Sequence, residues 1–137
     1  MTFIKKAVSA LFILAVVACA SMGGKRVDVS LSGTEEVPSV STAARGSGSF
    51  TIGDDGALGG SVTTTGVAGT MAHIHMGARG QNGPVIVPLT KSGDTYTAAA
   101  GAKLSDAQMA AFKRGGLYVN VHSAANKGGE VRAQLNP

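Results

Sequence analysis

Cysteine and aromatic residues are nearly absent from this chain of 137 residues. It has one Cys, no Trp, two Tyr and four Phe. A single Cys excludes an intramolecular disulfide and a zinc site built from thiolates. No Gly-X-Y repeat is present, which excludes a collagen helix, and no heptads run, which excludes a coiled coil.

Positive charge is also scarce outside the first residues. The chain has 12 Lys and Arg against 8 Asp and Glu, a formal net charge of +4. Lys5 and Lys6 lie in a predicted leader, so the remainder holds ten basic against eight acidic residues, scattered along it. A nucleic-acid-binding protein needs a clustered basic surface, so we predict no nucleic-acid partner.

The first 18 residues predict a bacterial lipoprotein signal peptide. Lys5 and Lys6 precede an apolar stretch, residues 7–18, which at about a dozen residues is too short to span a bilayer. The stretch ends in Val16-Val17-Ala18-Cys19, which resembles the lipobox, where the Cys is lipidated and becomes the first residue. Ordinary signal-peptidase cleavage after Ala20 is the alternative, since Ala18-Cys19-Ala20 also fits the small-residue pattern of that enzyme.

Lipidation of Cys19 implies a protein held by a lipid anchor in the bacterial cell envelope. Residues 19–26 are small and flexible enough to form a tether between the lipid and a folded domain. Several acyl chains hold a protein on a membrane, whereas one chain binds only marginally. No Asp follows Cys19, and by resemblance to known lipoproteins this favours the outer membrane, with the domain facing the periplasm or the exterior.

Residues 27–137 predict one all-β domain. Apolar and polar residues alternate over short segments, and Gly, Pro, Asn and Asp lie between them, a pattern typical of strands. The predicted strands cover residues 27–31, 48–52, 58–67, 71–75, 85–89, 95–99, 117–122 and 130–135. Because strands and helices do not alternate, we predict an antiparallel Greek-key sandwich or barrel of about eight strands.

Two of these segments carry an expectation about burial. Residues 85–89 are mostly apolar, which predicts a strand buried on both faces. In residues 117–122 an aliphatic face alternates with the side chains of Tyr118, Asn120 and His122. We expect the aliphatic face to form core, and His122 to project outward or to lie at the strand end.

One segment, near residues 105–114, predicts a short helix. Ser105 followed three residues later by Gln108 matches a capping box, and Gly115 provides the stop.

The three histidines predict a metal site. Met71, His73 and His75 alternate along one strand and therefore share a face, so two imidazoles can reach one ion from the same side. His122, at the end of another strand, can complete a set of three neutral imidazoles with an open position, which suits copper or zinc. Met71 and Met76 flank the pair, and their soft sulfur atoms favour copper.

Three further residues have predicted supporting roles. A metal-binding histidine donates its second N–H to an acceptor, and Asn120 and Glu130 are close in sequence to His122. Arg79, in the Gly-rich loop after the His-x-His strand, either attracts an anion toward the histidines or is a solvated loop charge. The alternative for the histidines themselves is structural, with their rings hydrogen-bonded to the backbone.

Four segments of the chain resemble the CHRD domain, named for its repeats in chordin. They are Leu31-Ser-Gly-Thr-Glu-Glu-Val-Pro38; Gly46-Ser-Gly-Ser-Phe50; Ala72-His-Ile-His75 followed by Gly83-Pro84-Val85; and Leu117-Tyr-Val-Asn-Val-His122 with Gly128-Gly-Glu-Val-Arg132-Ala-Gln-Leu135. The likeness covers about residues 27–135, and it implies an all-β, immunoglobulin-like or barrel-like module. Within the first segment we interpret Glu35 as a structural residue. A fold does not by itself fix a function.

A weaker likeness connects the His-x-His strand to copper–zinc superoxide dismutases, which also place such a pair on a strand. It extends only to His73, His75 and His122. The chain lacks a fourth copper histidine, recognisable zinc-loop histidines and the structural disulfide, so a full dismutase site is not expected.

Three functions follow from these patterns. The first is an envelope lipoprotein that binds a transition metal, copper rather than zinc, for storage, delivery or protection. The second is a non-enzymatic module that binds an envelope protein or a glycan and has structural histidines. The third is a copper enzyme of superoxide-dismutase type, which we rank below the two binding functions.

Overall fold

The computed structural model describes residues 23–137, so the predicted signal peptide, Cys19 and the start of the tether lie outside the described residues. The described chain forms eight antiparallel strands that close into a barrel, with one short helix. The strands are β1 (Gly24–Ser32), β2 (Arg45–Gly53), β3 (Leu58–Thr65), β4 (Gly69–Met76), β5 (Val85–Ser92), β6 (Thr95–Ala98), β7 (Leu117–Ser123) and β8 (Val131–Leu135). The helix α1 spans Asp106–Lys113, and a 3₁₀ turn at Gly33–Glu35 follows β1. No helix among residues 23–137 has the length and apolar character needed to cross a membrane.

The order of strands around the barrel confirms the predicted all-β fold. It runs β1-β2-β3-β6-β5-β4-β7-β8 and closes on itself, with β8 meeting β1 at the pair Ser32 and Arg132. β4, β5 and β6 follow one another as antiparallel neighbours, and β7 returns to lie beside β4. The spatial order β7-β4-β5-β6 is that of a Greek key. This return places β7 directly between β4 and β8.

The barrel interior is apolar and closely packed. Alternate residues of each strand point inward, as the period of two requires. Phe50, Val62, Tyr96 and Val119 are each fully buried. Burial of such side chains supplies the main driving force for folding, roughly 1.5–3 kcal/mol for each.

The helix forms as the sequence predicts. The Ser105 hydroxyl accepts a hydrogen bond from the backbone N–H of Gln108, whose side chain accepts one from the Ser105 N–H. This reciprocal pair is the capping box, and it satisfies two backbone donors that the first turn leaves free. The Gly115 residue that ends the helix has a positive φ of 69°.

Two local expectations were wrong. Residues 24–26, assigned to the tether, are already strand, because β1 pairs with β2 from Gly24 onward. β5 is not buried on both faces, since Val85 is 49% exposed while Val87 is buried. β8 has two buried faces instead, as does the longer β7, in which all seven residues are buried. The neighbouring strands β4 and β8 enclose β7, and loops cover the face that points away from the barrel interior.

A three-histidine candidate metal centre

The outer faces of three adjacent strands carry a group of polar side chains that we call the outer polar cluster. Alternation directs the apolar residues of β4, β7 and β8 inward, so the residues between them point outward. The cluster consists of His73, His75, Tyr118, Asn120, His122, Arg132 and Gln134. All of these residues except His73 are buried. The register pairs Tyr118 with His75 on one side and with Gln134 on the other.

Loops cover the outer polar cluster, and side chains of the cluster donate hydrogen bonds to the backbone of these loops. Gln134 Nε2 donates to the carbonyl of Gly77 at 2.8 Å, and Arg132 donates to the carbonyl of Ala78 at 3.1 Å. The loop after β4 therefore folds back over the barrel wall. At Gly83 a Cβ would lie 1.7 Å from the carbonyl oxygen of Met76, so this close return requires glycine.

The three histidines come together at one point of the cluster. One ligand nitrogen from each of His73, His75 and His122 lies within 4.8 Å of the others. Within residues 23–137 no other group of three His, Cys, Asp or Glu side chains is placed to hold a metal ion. Their ring centroids are 4.9 to 6.0 Å apart. The sequence prediction that the distant His122 joins the His-x-His pair is thus confirmed in its geometry.

Backbone carbonyls fix the tautomers of two of the rings. His75 Nδ1 lies 2.9 Å from the carbonyl of Gly83, and His122 Nδ1 lies 2.8 Å from that of Lys127. A carbonyl only accepts hydrogen bonds, so each Nδ1 carries the proton, and in the neutral ring each Nε2 holds a lone pair. Such N–H to carbonyl bonds orient metal-binding histidines in proteins. His75 Nε2 is buried and has no hydrogen-bond partner among the described residues.

Burial keeps the imidazoles in the form that binds metal. Desolvation lowers the pKa of His73, and the neighbouring His122 and His75 lower it further. Desolvation also lowers the pKa of His75, outweighing the hydrogen bond to Gly83 that acts in the opposite direction. Both rings are therefore neutral at pH 7, and metal binding does not have to displace a proton from an imidazolium.

A stack of three side chains supports His75 from behind. The His75 and Tyr118 rings are parallel within 3°, with centroids 4.7 Å apart. The guanidinium carbon of Arg132 lies 3.4 Å from the centroid of the Tyr118 ring, a cation–π contact. The Tyr118 hydroxyl accepts a hydrogen bond from the N–H of Gly83, whose carbonyl binds His75. The stack thus fixes both the ring and its acceptor.

Glu36 is a member of this region that the sequence interpretation missed. Of the adjacent pair, Glu35 is partly exposed, whereas Glu36 is 5% exposed. Burial raises the pKa of Glu36 to about 7, and the Arg132 charge and the Asn120 amide only partly oppose this. The Oε1 of Glu36 and the Oδ1 of Asn120 have no hydrogen-bond partner among the described residues.

Gly129 makes room for Glu36 beside Asn120. Its φ is +132°, and a Cβ there would lie 2.4 Å from both Glu36 Oε1 and Asn120 Nδ2. Two adjacent carboxylates in a loop give no sequence signal of which one is buried. Arg132 gives a weak signal, because it stands alone between apolar residues of a predicted strand.

The two predicted methionines have different surroundings. Met71 lies opposite His122 in the β4–β7 register and lines a hollow beside it. Met76 follows His75 directly, and by alternation it lies on the other face of the strand. Met71 is 50% exposed and Met76 37% exposed. The structure therefore brings Met71, and not Met76, to the histidines.

The predicted supporting residues lie around the site in other roles. Asn120 lies within the cluster and donates to the carbonyl of Gly128 at 3.2 Å. Glu130 accepts a hydrogen bond from Thr42 at 2.9 Å. Hydrogen bonds lower the pKa of Glu130, and the one from Ser123 has the largest effect. Backbone carbonyls accept the histidine N–H groups that Asn120 and Glu130 were predicted to accept. Arg79 is exposed and forms an ion pair with Glu35.

The fold and the site define a class of protein, a closed β-barrel with a buried polar cluster and three histidines that can hold a metal ion. The sequence profile of the CHRD domain matches residues 27–135, and the chain belongs to the CHRD domain family. No curated protein and no solved structure matches the chain. The family resemblance is confirmed, and the likeness to superoxide dismutases stays a prediction.

Proposed function

We propose that the protein binds one transition-metal ion through His73, His75 and His122. The observation that carries this is the tautomer arrangement, since two backbone carbonyls hold His75 and His122 with their Nε2 lone pairs directed away from those carbonyls. His75 and His122 are held in place with His73 beside them, and holding two of three donors in place lowers the ordering cost of binding. The orphaned Nε2 of His75 gains a partner when a metal binds.

Copper is the metal we propose, with zinc as the alternative. The donor set is neutral, and the grouping contains no thiolate or carboxylate within residues 23–137. Imidazole suits both copper and zinc, but the thioether of Met71 beside His122 is a soft donor that favours copper. Storage, delivery or protection of an envelope from free copper would all use such a site.

The setting we propose is the bacterial cell envelope. The support is the leader sequence alone, with its Lys5–Lys6 pair, its apolar stretch and Cys19 in a lipobox-like context. Attachment of Cys19 to lipid would place the barrel at the outer membrane, facing the periplasm or the exterior. Labelling of the cells with a radioactive fatty acid tests this, since Cys19→Ser would remove the label from the protein.

The metal proposal is tested by metal content and copper affinity of residues 20–137, produced without a His tag. A variant with all three histidines changed to Ala is measured in parallel, and circular dichroism checks that it is folded. We expect one equivalent of tightly bound copper in the wild type and none in the folded variant. Equal binding by the two proteins contradicts the proposal.

A specific observation also supports the interaction module as a second candidate. Without any metal, the histidines already link β4 and β7 to the loops at Gly83 and Lys127. If the wild type holds no metal and the triple variant unfolds, these bonds are structural. A search for an envelope protein or glycan partner would then replace the metal experiments.

A further inference from the structure

We propose that His73 is the exchangeable ligand of the site, through which the metal enters and leaves, whereas His75 and His122 are fixed ligands. This inference rests on the proposed metal-binding function and adds to it how the site is loaded. It follows from a difference in how the three rings are held.

The two fixed rings are each held by a buried hydrogen bond to the backbone. His75 and His122 are 7% and 8% exposed, and each donates its Nδ1 proton to a backbone carbonyl. The Gly83 carbonyl is itself held, because Tyr118 binds the same residue and stacks on the His75 ring. Turning either ring would therefore break a buried hydrogen bond and leave its partners unsatisfied.

His73 has no such restraint among the described residues. It is only partly buried, and its one hydrogen bond joins its Nδ1 to the Nε2 of His122 at 3.0 Å. Because His122 Nδ1 donates to Lys127, the neutral His122 ring can only accept at Nε2, so His73 Nδ1 is the donor. In the metal-free protein, His73 thus occupies the lone pair that a metal needs.

Loading of the site must break this bond between the histidines. His73 either turns to present Nε2, or moves its proton to Nε2 by exchange with water and binds through Nδ1. In both cases the neutral imidazole keeps its single proton. The fixed ligands need no change of ring or tautomer, so His73 is the ligand that moves.

Met71 marks the side from which a metal arrives. It shares the outer face of β4 with His73, lies opposite His122, and is half exposed. Met71 and His122 line a mostly apolar hollow of about 360 Å³, together with residues that include Ser123 and Lys127. A thioether there can hold a soft ion briefly before His73 closes on it.

The test measures affinity and exchange rate separately, with Cu(I) alone as the probe and bicinchoninate as the competing chelator, on the full chain without a His tag. We expect His73→Ala to keep one equivalent, to bind about 10- to 100-fold more weakly and to release copper faster. His75→Ala and His122→Ala should no longer hold one equivalent. If His73→Ala loses binding as completely as they do, the inference is overturned and the metal site stands.

The matched pair Met71→Leu and Met76→Leu tests the route. We expect Met71→Leu to slow copper exchange at least about fivefold, with no change in the exchange rate for Met76→Leu. Equal exchange rates in the two variants overturn the route through Met71. A wild type that binds no copper overturns the proposed function and this inference together.

A measurement on the metal-free wild type covers the case in which His75→Ala or His122→Ala does not fold. Imidazole ¹⁵N–¹H spectra should show slowly exchanging Nδ1 protons on His75 and His122 and a rapidly exchanging proton on His73. Equal protection of all three ring protons contradicts a mobile His73.

Discussion

The two faces of β7 both exclude water, but different forces pack them. On the inner face Leu117, Val119 and Val121 are fully buried among apolar side chains. On the outer face Tyr118 and Asn120 are equally inaccessible, yet hydrogen bonds and stacking contacts surround them. Apolar packing depends on shape and area, whereas polar packing depends on direction.

This difference decides where a binding site can exist. An apolar side chain offers no hydrogen-bonding or metal-binding atom, and in the barrel interior only the Tyr96 hydroxyl is a buried polar atom without a partner among the described residues. The outer face retains buried lone pairs on His75, Asn120 and Glu36 that have no partner among the described residues. Such groups are costly unless a proton, a metal or another donor meets them. The face that is less completely satisfied is therefore the one equipped to bind.

The largest effect is expected on the inner face. Leu117→Ala removes most of a fully buried side chain and leaves a cavity, which should lower the free energy of unfolding by about 2–5 kcal/mol. Urea unfolding measures the loss. If the packing of the inner face is independent of the proposed metal site, the metal stoichiometry of the folded fraction stays at the wild-type value. A loss of metal binding in folded Leu117→Ala would show that packing of the inner face also controls the site on the outer face.

The next effect is a pH dependence from the outer face. The pKa of Glu36 is raised from 4.5 to about 7 in the folded protein. Below about pH 4.5 the carboxyl is neutral in both states, and its stabilising contribution is complete. As the pH rises toward 7 the unfolded chain ionises first, so this contribution is lost by up to about 3 kcal/mol. Glu36→Gln, which stays neutral, should lack this decline.

The difference between wild type and Glu36→Gln isolates this carboxyl. The lowered pKa values of His73 and His75 act in the opposite direction, destabilising the fold as the pH falls below their ordinary value of 6.5, and both proteins contain them. Glu35→Gln, a change in the neighbouring surface carboxyl, is the matched control. Parallel stability curves for wild type and Glu36→Gln between about pH 4.5 and 7.5 would contradict the assignment.

The smallest loss of stability is expected from removal of the Tyr118 hydroxyl. Tyr118→Phe keeps the ring stack and removes the acceptor of the Gly83 N–H, so we expect a loss of about 1 kcal/mol and faster exchange of the Gly83 amide proton. Val119→Thr is the counterpart on the inner face, where an added hydroxyl finds no partner and costs about 1–3 kcal/mol. If Tyr118→Phe is as stable as the wild type, with unchanged exchange, the hydroxyl does not hold this loop.

The strands, the helix and the histidine grouping were predictable because each depends on short-range patterns. Alternation identified β4 and β7, and the spacing of Ser105 and Gln108 identified the helix start. The burial of the outer face was not predictable, because Tyr118, Asn120 and His122 look like a solvent face when only their own strand is considered. Part of their cover comes from a distant loop, since Gly83, which contacts Tyr118, lies 35 residues away along the chain.

The acceptors of the histidine N–H groups were missed for a related reason. The sequence predicted side-chain acceptors such as Asn120 and Glu130. Every residue, however, has a backbone carbonyl, and the position of that carbonyl depends on tertiary structure alone. The apolar run in β5 led to the opposite error, because it predicted burial on a face that is partly exposed. Val85 lies where the loop over the cluster rejoins the barrel, and the apolar composition of the strand did not reveal that Val85 is half exposed there.

The Greek-key return of β7 to β4 has a consequence for biogenesis. His73 and His122 are 49 residues apart, and β5, β6 and α1 lie between their strands along the chain. A polypeptide that emerges from a ribosome or a secretion channel exposes the His-x-His pair long before its partner. Metal capture by all three ligands therefore has to wait until the barrel closes. A metal bound by all three ligands would stabilise only the folded barrel, so an occupied site would indicate that the barrel has formed.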